Sequence, residues 1–133
     1  MKTLALILAL LLVPIAAEAF TCNATGCTFT AEYTEPTANT AGGPVGLTGT
    51  TVYYKLDGAP EKIVQVPPSS VNGGGVIQRT ITEPILPGQK VVITGSVTAK
   101  NAAGESARAA FTSLTIDRSG EVVPNPPVGG SFK

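Results

Sequence analysis

The chain has 133 residues, nine basic and nine acidic side chains, two cysteines, no histidine and no tryptophan. Balanced, singly scattered charge offers no basic stripe for nucleic acid or anionic lipid. The lack of histidine excludes Ser-His and Cys-His nucleophile systems, and with two cysteines at most it leaves no ligand set for zinc.

Lys2 precedes an apolar run from Leu4 to Ile15, and Ala17-Glu18-Ala19 presents small residues at the two positions a signal peptidase reads. A signal peptide is predicted over residues 1–19, cleaved after Ala19, with the chain exported to the periplasm or the cell exterior from Phe20 on. The apolar run is shorter than the roughly 20 residues that span a bilayer. Nothing after Ala19 resembles a stop-transfer flank, and Cys22 lies three residues beyond the cut instead of next to it. Neither a lasting anchor nor a lipoprotein is expected, and no stable membrane insertion. Taking 19 from 133 leaves 114 residues, and losing Lys2 and Glu18 leaves eight basic and eight acidic groups. That is one domain of zero net charge.

Phe20-Thr21-Cys22 is a short arm, and Asn23-Ala24-Thr25-Gly26 a tight turn. In an oxidising compartment the nearby Cys22 and Cys27 pair as a disulfide. Cys27, Phe29, Ala31 and Tyr33 alternate with Thr28, Thr30, Glu32 and Thr34 as a strand with one apolar face, ended by Glu35-Pro36. Residues 37–49, rich in Thr, Gly and Pro, predict a long exposed loop. A strand follows from Thr50 to Leu56, then an Asp57-Gly58 turn, a short strand from Lys62 to Val66, a flexible Asn72-Gly73-Gly74-Gly75, and a strand from Val76 to Thr82. From Val91 the residues Ile93, Gly95, Val97 and Ala99 share one face, while Thr94, Ser96, Thr98 and Lys100 share the solvent face. Asn101-Ala102-Ala103-Gly104 turns the chain into a last strand from Arg108 to Ile116. Asp117 closes the domain, and the Pro/Gly-rich tail over residues 118–133 has no periodicity and reads as disordered. Six strands and no helical period predict an all-β antiparallel β-sandwich.

Tyr33-Thr34-Glu35-Pro36, Val52-Tyr53-Tyr54, Leu86-Pro87-Gly88, and Val97-Thr98-Ala99-Lys100-Asn101 with Gly104-Glu105-Ser106 occur in the order of a fibronectin type III domain. The chain resembles that family, in particular its single-domain bacterial exported members. The resemblance implies an immunoglobulin-like sandwich over residues 20–117. Tyr33 stands where the family usually carries its core tryptophan, and the tyrosine usual after the Pro-Gly corner is replaced by Val91 or Ile93. The first strand has little room, which leaves two alternatives: the sheet edge it would cover is open, or the short arm at Phe20 covers it in the same molecule.

No catalytic constellation emerges. Glu32 points away from the apolar face and Glu35 sits at a strand end, so both are read as surface charge, and Asp57 as a turn residue. Asn23-Ala24-Thr25 matches a glycosylation acceptor inside the disulfide loop and is read as unoccupied. The turn at Asn101 carries no Arg-Gly-Asp. Two non-enzymatic functions remain, with no cofactor. One is a secreted binding or adaptor module for a protein or carbohydrate ligand, using loops that the resemblance places at one end of the sandwich: Thr37, Asn39, Thr40, Pro44 and Val45 with Asn101 and Gly104. The other is a structural subunit that forms a homo-oligomer when an open sheet edge takes a tail segment such as Glu121-Val122-Val123.

Overall fold

A computed structural model describes residues 20–133; the predicted signal peptide lies outside the described residues. Those residues form nine strands and no helix: β1 (Phe20–Asn23), β2 (Gly26–Thr34), β3 (Gly49–Leu56), β4 (Lys62–Val66), β5 (Val76–Glu83), β6 (Lys90–Asn101), β7 (Gly104–Glu105), β8 (Ala109–Ala110) and β9 (Leu114–Asp117). They make two antiparallel sheets. One has the order β1-β2-β5, and the other runs β4-β3-β6 with β7, β8 and β9 in succession along the far side of β6.

The two sheets face each other across one apolar core. Cys27 and Phe29 of β2 and Ile81 of β5 meet Val52 and Tyr54 of β3, Val66, Ile93 and Ile116, with Ile85 closing one end. The period-two pattern of each strand supplies this face, and each large side chain so buried contributes roughly 1.5–3 kcal/mol. Phe29 and Tyr54 meet edge to face across the gap, ring centroids 6.2 Å apart.

β1 is a real strand, so the first strand is short but present. Its four residues pair with β2 from Phe20↔Phe29 to Asn23↔Gly26. Asn23 Oδ1 accepts hydrogen bonds from the Thr25 amide, the Thr25 hydroxyl and the Gly26 amide, which sets the turn. Cys22 and Cys27 stand directly opposite each other and form the disulfide.

Two expectations are corrected along β6. The last strand is not continuous from Arg108 to Ile116. Between Ile93↔Leu114 and Ser96↔Ala110 the partner takes four steps to three on β6, and it does so again between Val97↔Ala109 and Lys100↔Glu105. Each surplus residue is a bulge, which re-aims the side chains beyond it. The first turns Phe111 inward, where its ring lies against Tyr33 with centroids 6.2 Å apart. Gly95 makes the room: a Cβ there would stand 2.7 Å from the Tyr53 carbonyl oxygen and 3.3 Å from the Phe111 ring. Thr98, expected on the solvent face, is only 4% exposed. Its hydroxyl donates to Glu105, which also accepts from the Tyr53 hydroxyl, so a polar layer covers that face.

Glu35 is the third correction. It is 2% exposed and is not a surface charge. Its carboxylate accepts from the Ser69 hydroxyl, the Ser69 amide at 2.9 Å and the Gly75 amide at 3.1 Å, and so pins two loops to the end of β2.

Candidate functional site

The seven residues singled out from the sequence lie at one end of the sandwich, beyond the C-terminal ends of β2 and β6. Asn39 organises its loop: Oδ1 accepts from the Ala41 and Gly43 amides at 2.9 and 3.0 Å, and Nδ2 donates to the Pro44 carbonyl at 3.1 Å. Ala38 and Pro44 form an isolated bridge that closes the small hairpin. Asn101 ties this loop to the β6–β7 turn. Its Oδ1 accepts from the Ala103 and Gly104 amides, while Nδ2 donates to the Val45 carbonyl at 2.9 Å.

The loop over residues 37–49 is therefore not exposed throughout. Val45 and Leu47 are buried, and the Leu47 and Thr48 amides donate to the carbonyls of Val71 and Lys100. Both asparagines spend their side chains on holding backbone, which is what turn residues do. Thr37 and Thr40 are exposed.

Behind the loops lies a cavity of about 690 Å³. Asn39, Thr40, Val45, Asn101 and Gly104 line it; Thr37 and Pro44 do not. Its floor was not foreseen. Tyr33, Val97, Ala99 and Ala109 form apolar walls, with Lys100 and Glu105 as its charged lining residues. Tyr33 shares a 2.6 Å hydrogen bond with the Thr50 hydroxyl, and burial above all raises the pKa of its phenol. Hydrogen bonds from Thr98 and then Tyr53 hold the Glu105 carboxyl below its usual value. The sequence signal for this floor is the pair of small residues Ala107 and Ala109 opposite a large aromatic, which leaves volume unfilled.

A second cavity of about 360 Å³ continues along the same side, lined by Phe29, Ala31, Ile93, Phe111 and Leu114. The Tyr33–Phe111 ring pair separates the two. Both open where β1 has ended and where the partner of β6 is broken into β7, β8 and β9. Together they make a seam between the sheets, bounded on one side by Thr30–Thr34 of β2.

Among the described residues no group of three or more His, Cys, Asp or Glu side chains could hold a metal ion. No helix among them is long and apolar enough to cross a membrane. Compared with known proteins, the chain matches no family model, no curated protein and no solved structure.

Proposed function

We propose that the chain is an exported, non-catalytic binding module, built like a fibronectin type III domain, that takes a polypeptide ligand at the loop end of its sandwich. The observation that carries this reading is the apolar cavity of about 690 Å³ at the meeting point of two structured loops. An apolar floor beneath a few placed polar groups is the common form of a ligand site. Loops held on a rigid sandwich are a common way to present one. The Cys22–Cys27 disulfide is compatible with export. A protein ligand is favoured over carbohydrate because the Tyr33 ring is half-buried against Phe111 and presents no open stacking platform.

The test is selection from a random peptide display library, in parallel with an oligosaccharide panel, on the wild-type chain and on Ala109→Trp, which fills the cavity. Peptides should be enriched on the wild type and bind the variant at least about tenfold more weakly, a loss of roughly 1.4 kcal/mol. Binding of oligosaccharides alone, or peptides indifferent to Ala109→Trp, would overturn the reading.

A further inference from the structure

We infer that the seam between the sheets is a strand slot, and that its occupant is the segment Val128–Lys133 of a second copy of the chain. This rests on the proposed peptide site and names its partner.

The slot begins where β1 stops. β1 covers β2 only from Gly26 to Phe29. Glu35 donates its amide to the Gly75 carbonyl, on the β5 side. By the alternation of an antiparallel ladder, Tyr33 and Ala31 also face β5, and Thr30, Glu32 and Thr34 turn their amides and carbonyls to the side β1 has left. Among the described residues nothing pairs with them there. With Phe20 as the first residue of the exported chain, this edge is a template for one more strand.

The tail carries a segment of matching pattern. Val128, Gly130 and Phe132 share one face of an extended chain, Gly129, Ser131 and Lys133 the other, and no proline interrupts them. Val128 and Phe132 are large apolar side chains open to solvent. Four residues of strand span about 13 Å. Along β2 and just beyond its end, Phe29–Glu32 line the smaller cavity and Tyr33, Thr34 and Pro36 the larger, two sets also centred about four residues apart. A strand running on in line with β1, antiparallel to β2, sets Phe132 beside Ala31 over the 360 Å³ cavity and Val128 over the 690 Å³ cavity. Gly130 then falls opposite Tyr33, where the Tyr33–Phe111 pair fills the seam and leaves no space for a side chain. Ser131 and Gly129 pair with the outward groups of Glu32 and Thr34.

The spacer selects a second copy over the same molecule. The tail leaves beside Asn23, at the end of the sandwich away from the loops, where Arg118 donates to the Asn23 carbonyl. Glu121–Pro127 holds three prolines and extends at about 3.1 Å per residue, roughly 22 Å in all. In its own molecule the same antiparallel register would need Val128 at the level of Glu35, about 30 Å along β2 from the Asn23–Gly26 pair, which the spacer cannot reach. In the neighbour it enters from the loop end, past Asn39 and Asn101, and reaches the slot in the antiparallel sense. Such a head-to-tail contact repeats into rings or filaments.

The experiment expresses the full sequence, purifies the exported product, confirms Phe20 as its first residue and follows its mass by light scattering over a concentration series. Mass should rise above the monomer with concentration, and Phe132→Asp should return it to the monomer at every concentration. A synthetic peptide of residues 126–133 should then bind one-to-one to a chain ending at Glu121, which keeps every strand and every hydrogen bond described. The same peptide with Gly130→Val should bind at least about tenfold more weakly. An oligomer unaffected by Phe132→Asp overturns the inference. So does a monomer whose truncated form binds the peptide, since the tail then folds back on its own molecule. A truncated chain that takes library peptides but not this one overturns the inference and leaves the peptide site standing; one that takes no peptide overturns both.

Discussion

Glu35 shows how far a single carboxylate can depart from its sequence reading. A glutamate after a strand and before a proline looks solvated, and its partners Ser69 and Gly75 lie 34 and 40 residues away, in a stretch with no periodicity to announce a contact. Burial pushes its carboxyl pKa up, but the hydrogen bonds from Ser69 and Gly75 outweigh this and leave it below the usual value. Because the folded state holds the proton less tightly than the unfolded state, Glu35 adds stability above the ordinary carboxylate pKa. That stability is lost as pH falls through the lowered one. Glu35→Gln should therefore destabilise the chain by roughly 1–3 kcal/mol at pH 7 and by much less near pH 3. Urea denaturation of both proteins at the two pH values checks it; an equal difference at both would show that shape, not charge, is what Glu35 supplies. Tyr33 is the milder case. Its position as the strand's aromatic anchor was legible, whereas the partner of its hydroxyl, Thr50, was not, because it comes from the opposite sheet.

At the level of elements, what the sequence made legible were the strands whose alternation is strict. β2, β3, β4, β5 and β6 fall within a residue or two of their expected bounds, and the turns at Asn23, Asp57 and Asn101 are where their Asn, Asp and Gly residues put them. The partner of β6 was misread because alternation assumes a register without bulges. Phe111 and Leu114 cannot share a face in a strict strand, and only the pairing shows that a surplus residue lets both point inward. Gly95 opposite a phenylalanine is the one hint the sequence held. The β1–β2 hairpin is the element with least support of its own, since β1 is four residues long and mostly exposed. Its disulfide closes a very short loop, worth about 2 kcal/mol by chain entropy. The double replacement Cys22→Ser/Cys27→Ser should lower stability by about that amount, and hydrogen exchange should show the β1 amides losing protection before those of β3 and β6. Uniform loss across the sheets would mean that the hairpin unfolds only with the whole domain.

The two sheets are joined by polar bridges as well as by the core, and these define which side of the molecule can open. At the loop end Asn101 reaches Val45 and Tyr33 reaches Thr50. On the β4–β5 side Glu83 accepts from Lys62 at 2.6 Å and from the Tyr54 hydroxyl. Burial, and then the hydrogen bond and charge of Glu83, push the Tyr54 phenol pKa well up. At the hairpin end Arg118, 4% exposed, donates Nη1 to the carbonyls of Asn23 and Ile85 at 2.8 and 2.6 Å and pairs with Glu121 at 2.7 Å. It follows β9 directly, so it buckles the end of one sheet to the first hairpin of the other. Beside Thr30–Glu32 the seam has no such bridge among the described residues, its Tyr33–Thr50 bridge lying at the loop end, and this is the side with the cavities. Arg118→Leu keeps the apolar stem but leaves two carbonyls unpaired and Glu121 without its partner. Hydrogen bonds to a charged group are worth roughly 1.5–3 kcal/mol each, so the loss should reach about 2–4 kcal/mol, with context reducing the sum. The opening should be local. Hydrogen exchange should quicken at β1 and β9, while the amides of Val97–Asn101 and of the loop beneath Asn39 stay protected, and peptide binding at the loop end should persist in the folded fraction. If exchange quickened equally at both ends, the bridges would act as one network, and the open seam would be a consequence of the core's shape instead of a missing clamp.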